Sequence, residues 1–176
     1  MTVRQIAIAT LTAAGLVCLP VMASAQTPAM TASAGMAAGA VSTEADNKTV
    51  VETLYRAFAA GDGATIGTLL SPDLVWIEAE SGPYADHNPY MGPGAVFEGV
   101  FGRIGQQWQG FAATPQTILP SGDRVVSLGR YTGTNVATGA VLNAQFAHVF
   151  TLVDGKVVGF QQYTDTAQWV AAVTPH

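Results

Sequence analysis

VLNAQFAHVFTLVDGKVVGFQQYTDT, residues 141–166, carries the clearest strand pattern in the chain. Apolar residues alternate with others in both halves, the period of two expected of strands with one face buried. Asp154-Gly155 between them is a tight hairpin turn. Working back along the chain, NVATGA (135–140) reads as a longer hairpin loop and RVVSLGRYTGT (124–134) as the strand before it. Ser121-Gly122-Asp123 is a further turn, and Thr114 to Pro120 is the first candidate strand of the series.

Upstream the period changes. Asp46 or Asn47 is placed to cap a helix in which Val50, Val51, Leu54, Ala57 and Phe58 recur at helical spacing, and Gly61 stops it. GATIGTLL (63–70) makes a second short helix, ended by Ser71-Pro72. Asp73 to Glu80 returns to a period of two, with Trp76, Glu78 and Glu80 on one face and Val75, Ile77 and Ala79 on the other. After a proline-rich bend, GPGAVFEGVFGRIGQQW (92–108) is helical in its spacing through Val96, Phe97, Val100, Phe101, Ile104 and Trp108. Helices first and strands last predict an α+β fold, with a curved antiparallel sheet packed against N-terminal helices, rather than a parallel α/β fold. No internal repeat or second domain is visible.

Composition narrows the function classes. With 176 residues, 49% hydrophobic and 11% charged, the chain suffices for one well-packed domain. Residues 1–25 read as a secretory signal peptide: a positive start through Arg4, an apolar run from Ile6 to Met22, and the small-x-small site Ala23-Ser24-Ala25. Gly15 and Pro20 interrupt the run and no positive stop follows it, which disfavours a membrane anchor. Val17 disfavours a lipid anchor at Cys18. The expected location is periplasmic or secreted. Residues 26–46, rich in Ala, Thr, Ser and Gly, read as a flexible linker ahead of a domain at 47–173.

The expected mature chain has no cysteine, so a disulfide framework and thiolate chemistry are excluded. It carries six basic against twelve acidic residues, which argues against nucleic acid and anionic membranes as partners. GPGAVFEG lacks the lysine and the preceding strand of a phosphate loop.

One residue stands out chemically. An acid at an inward position of a half-buried strand loses hydration, which raises its pKa and suits it to proton exchange near neutral pH. Glu78 is that acid, and Trp76 shares its face as a wall that excludes water. Glu80 shares the face nearer the strand end, as a ligand contact or a solvated rim. Tyr84, His87 and Tyr90 in the bend are candidates for a lid, Trp108 for core or cavity mouth, and Gln162, with the parity of Phe160, for a ligand contact. A metal site built from Glu78, Glu80, His87 and His148 does not follow a recognised ligand spacing. The structural alternative is that Glu78 and His148 belong to a buried polar network with no chemical task.

LYRAFAAGDGATIGTLLSPDLVWIEAE (54–80), the GPY…GP bend (82–93) and FAHVFTLVDGKVVGFQQYTDTA (146–167) together resemble the SnoaL-like branch of the nuclear transport factor 2-like superfamily, related to ketosteroid isomerases. The resemblance implies a cone with an apolar pocket, cofactor-free chemistry without a metal, and a homodimer formed through the outer face of the sheet. It places the general base of ketosteroid isomerases at Glu78, sixteen residues after Asp62, and the oxyanion hydrogen-bond donor at His148. It puts the oxyanion tyrosine at Leu54, leaving Tyr55 one residue aside. The expected activity is acid/base isomerisation, cyclisation or hydrolysis of a small apolar molecule. The alternative is a non-catalytic hydrophobic-ligand-binding module or a dimeric scaffold.

Overall fold

The structure, a computed structural model, describes residues 42–175. The expected signal peptide at 1–25, and all but the end of the expected linker at 26–46, lie outside the described residues.

Helix α1 (Glu44–Ala60) begins earlier than Asp46 or Asn47 because Thr43 is its cap. The Thr43 hydroxyl accepts from the Asp46 N–H at 3.2 Å, and the Asp46 carboxylate accepts from the Thr43 N–H at 3.0 Å. This reciprocal box satisfies two otherwise orphaned donors. Asn47 is buried instead, and its amide donates to the Gly122 carbonyl at 3.0 Å, tying the helix to a distant turn. Gly61, in the left-handed region at φ 66°, ends the helix as expected.

Helix α2 (Gly63–Leu69) runs directly into strand β1 (Leu70–Ile77). Ser71 and Pro72 therefore lie inside the strand rather than ending the helix. Pro72 is tolerated because the pairing slips between Leu70 and Val75, where a missing N–H breaks no regular ladder. Strand β2 (Tyr90–Met91) follows the bend. The next helical stretch is divided: α3 (Gly92–Val96), a widened π turn at Phe97–Phe101, and α4 (Gly102–Gln107). Gly99 sits in that turn against the Tyr90 ring, where a Cβ would overlap the ring edge.

Trp108 does not close the helix. It opens strand β3 (Trp108–Ser121), which is longer than Thr114–Pro120. Strands β4 (Arg124–Asn135), β5 (Val141–Val153) and β6 (Lys156–Thr164) follow. A last helix, α5 (Thr166–Val173), was not anticipated; Asp165 caps it, and it buries Trp169 and Ala172.

The sheet is curved and unclosed, in the order β2-β1-β6-β5-β4-β3. It is antiparallel except between β1 and β6, which run parallel. That one parallel pair joins the antiparallel meander to the rest of the sheet: β6 returns from a hairpin to lie against a strand that entered from the helices.

Two rows of paired residues on the inner face position the site. One row is Ser127, His148 and Gln162, and the other is Val125, Phe150, Phe160 and Trp76. Gly129 is paired with Phe146 one step along; its missing Cβ is what lets the Phe146 ring lie over it. The outer face keeps exposed apolar residues, among them Leu119 (52%), Leu128 (42%) and Tyr163 (58%). Among the described residues no helix is long and apolar enough to cross a membrane.

Candidate active site

Helix α1, the π turn and α4 face the inner side of the sheet across a cavity. Its walls are mostly aromatic and aliphatic, and its polar groups come from Tyr55, Glu78, Tyr131, His148 and Gln162. About 60 Å³ is free for the centres of water-sized molecules, room for roughly four or five waters. A small guest fits the walls as they stand; a polycyclic one requires them to part.

Glu78 lies one residue past the end of β1 and is 3% exposed. Asn88, from the bend, grips its backbone on both sides, accepting from the Glu78 N–H at 2.9 Å and donating to its carbonyl at 2.8 Å. The carboxyl oxygen Oε1 accepts from the Trp76 indole N–H at 2.6 Å. Burial pushes the Glu78 carboxyl up to about 7, against the hydrogen bonds of Trp76 and Gln162, which pull it down. A carboxyl in that state exchanges a proton readily at neutral pH.

His148 reaches the cavity from β5, but neither ring nitrogen is free. Its Nδ1 is 2.7 Å from the Tyr55 hydroxyl and its Nε2 is hydrogen-bonded to the Tyr131 hydroxyl. Burial holds the imidazole down to about 3, so it is neutral at any ordinary pH. Burial also raises the Tyr55 and Tyr131 phenols, which therefore keep their protons.

The direction of one bond in this network follows from the backbone. The Ala79 N–H can only donate, so the Gln162 oxygen faces it at 3.1 Å. The Gln162 NH₂ must then donate to the Tyr131 oxygen, at 2.9 Å. The Tyr55–His148–Tyr131 chain has two links, but two phenols and a neutral imidazole bring three protons. One phenolic O–H is left for a partner outside the chain. The buried Ser127 hydroxyl, opposite His148 in the ladder, has no partner among the described residues and stands beside Tyr55.

The structure thus brings Trp76, Glu78, Tyr55, His148 and Gln162 to one cavity. Tyr55 reaches it by pointing at His148 from α1. Tyr84 lines a smaller chamber that shares Glu78, Tyr131 and Gln162 with the main one; its hydroxyl donates to Gln107 and accepts from the Trp108 indole.

Three of the expected ligand contacts stand elsewhere. Glu80 is exposed, because the strand that gave it the parity of Glu78 ends at Ile77. Tyr90 is buried under the bend, bonded to the Tyr84 carbonyl and the Asp86 carboxylate. Trp108 packs edge-on against Trp169, outside the cavity wall. The bend is pinned rather than free to act as a lid: Arg103 bonds both the Asp86 carboxylate and the Pro83 carbonyl. Among the described residues no three His, Cys, Asp or Glu side chains converge as a metal site.

Sequence reasoning missed Tyr131 and Asn88. The inward parity of Val125, Ser127 and Tyr131 along β4 was the available signal for the first. For Asn88, in an irregular bend, there was none.

The SnoaL-like domain family matches residues 51–160. The chain is also similar to an NTF2-like protein of Burkholderia thailandensis, with 31% identity over 73% of this chain and 98% of that one and a TM-score of 0.69. A protein from a soil-derived mobile gene cassette, Bal32a, is 27% identical over 75% of this chain and 100% of its own, with a TM-score of 0.68. A SnoaL-like polyketide cyclase candidate from Jannaschia sp. CCS1 shares the fold at 18% identity, over 73% and 92% of the two chains, with a TM-score of 0.64. No curated protein matches the sequence.

Proposed function

Because the chain belongs to the SnoaL-like domain family, we propose that it is a cofactor-free acid/base enzyme acting on a small, largely apolar carbonyl compound. What carries this reading is the Glu78 carboxyl, buried and pushed up to about 7, lining the same cavity as two phenols, Tyr55 and Tyr131, that are both hydrogen-bonded to one neutral imidazole. The Glu78 carboxylate takes a proton from the carbon next to the carbonyl. The electron pair of that C–H bond moves toward the oxygen, where the spare phenolic O–H stabilises the enolate as it forms. This half-reaction is common to double-bond isomerisation and aldol-type cyclisation.

We assign His148 a different part from the oxyanion donor that the family resemblance implied. With both nitrogens occupied it does not meet the substrate; it holds two phenols in place and is a positioning residue. A neutral imidazole suits that task, since it accepts at one nitrogen and donates at the other.

The test is proton exchange at carbon. Small β,γ-unsaturated ketones incubated with the protein in D₂O should take up deuterium at the position next to the carbonyl, followed by proton NMR. Removing both phenols, as Tyr55→Phe with Tyr131→Phe, should slow the exchange by about 10²-fold or more, the effect of losing an oxyanion donor. Ligand binding without exchange for any ketone would turn the reading into that of a non-catalytic binder.

The exposed Leu119, Leu128 and Tyr163 on the outer face of the sheet support a second proposal: that face pairs with another copy of the chain. Sedimentation velocity should show a dimer that Leu128→Glu dissociates. A monomer at all concentrations would end the idea.

A further inference from the structure

Among the described residues Glu78 is the only carboxyl lining the cavity, and no lysine or arginine lines it. The walls around that carboxyl are built largely of aromatic rings. Trp76 stacks on Phe160 with ring centroids 3.6 Å apart and meets Phe101 edge-on at 5.4 Å, while Phe111, Tyr131 and Phe150 continue the wall. A buried carboxylate without a counter-ion is a costly state, and a guest that brings the missing positive charge relieves it. Aromatic faces attract the same kind of guest through their negative π-clouds.

We propose that this cavity binds a small, fully alkylated or tertiary ammonium ion, its charge against Glu78 and its alkyl groups against the aromatic rings. The hydrogen-bonding capacity of the cavity sets the degree of alkylation. A primary ammonium ion carries three N–H donors. The cavity offers few acceptors to receive them: Glu78 Oε1 already takes the Trp76 indole, the Tyr131 oxygen takes Gln162, and the network's spare group is a donor. Unmet N–H groups in a dry site are expensive, whereas methyl groups on ring faces are not. The inference concerns binding alone and needs no reaction, so it stands or falls apart from the carbonyl chemistry above.

Tetramethylammonium is a suitable probe because it does not titrate, and tert-butanol is its uncharged counterpart of similar shape. The other titratable groups facing Glu78 are Tyr55 from α1, Tyr84 from the bend, Tyr90 from β2, Tyr131 from β4 and His148 from β5. Burial raises the tyrosines and holds His148 at about 3, which leaves Glu78 as the group of this set that changes charge between pH 5.5 and 8.5.

Binding is measured by ligand-observed NMR and calorimetry at both ends of that range. Tetramethylammonium should bind about thirtyfold more weakly at pH 5.5, because a proton must then leave Glu78. Glu78→Gln should lose the cation at both pH values while still taking up tert-butanol, which also reports that the variant is folded. Phe101→Leu, which keeps apolar bulk but removes a ring, should weaken the cation about threefold or more beyond any change in tert-butanol affinity. The proposal is overturned if tetramethylammonium does not bind, if its affinity is independent of pH, or if Glu78→Gln binds it as the wild type does. Ketone exchange in a protein that ignores the cation would refute this inference and leave the enzymatic reading intact.

Discussion

Glu78→Gln is expected to reduce proton exchange on a reactive ketone by about 10²- to 10⁴-fold, the range for loss of a positioned general base. Glutamine is the informative replacement because it leaves the surroundings in place. Its amide oxygen can still accept from the Trp76 indole, and Asn88 holds the backbone of residue 78 rather than its side chain. What disappears is the capacity to take up a proton. In the wild type, kcat/KM should rise with pH, reach half its maximum near 7 and then level off, because the base works only when ionised and burial has raised its pKa to about 7. The variant should lack that limb. Equal exchange by the two proteins would remove Glu78 from the chemistry.

The second large effect is on stability, where two buried groups act in opposite directions. The folded-state pKa of Glu78 lies above its ordinary value, about 7 against 4.5. Its contribution is therefore fully present below pH 4.5 and lost as pH rises through 7, a change of about 3 kcal/mol. His148 is depressed, to about 3 from 6.5. The unfolded chain protonates it first, so its contribution is present above pH 6.5 and declines as pH falls toward 3, by about 5 kcal/mol in all. Between pH 6.5 and 4.5 the two slopes nearly cancel.

Urea unfolding of the wild type should accordingly be flat across that interval as far as these groups are concerned. Glu78→Gln should expose the histidine slope alone, losing about 1.4 kcal/mol per pH unit on acidification below 6.5. Its stability relative to the wild type should improve by about 3 kcal/mol between pH 4.5 and 8. A variant that parallels the wild type at every pH would mean that Glu78 titrates normally and is not held in a dry site.

Much of the frame was legible in residue order because its causes are local. The alternation in 141–166 and the turn at Asp154-Gly155 give β5, β6 and their hairpin directly, and the helical spacing from Val50 to Phe58 with its stop at Gly61 gives α1. The inward aim of Trp76 and Glu78 follows from their parity and held although the strand ends at Ile77. Glu80 shows the limit of the same argument: parity persists for the one residue after Ile77, where Asn88 still holds the backbone of Glu78, and is lost by the third. The start of α1 was misplaced because Asp46 can serve as a cap or as the third residue of a capping box, and Thr43 decided between them.

The residues themselves determined an α+β domain with a carboxyl group and an imidazole on the inner face of its sheet. What those groups touch depends on contacts between segments far apart in the chain. Tyr55 meets His148 across 93 positions of sequence, Ala79 fixes the Gln162 amide across 83, and β1 lies parallel to β6. Periodicity reports which way a side chain faces, since that is a property of the local backbone. Hydrogen-bond partners and the exclusion of water depend on which distant segments close over it, and those two things set the charge on Glu78 and the spare proton beside it.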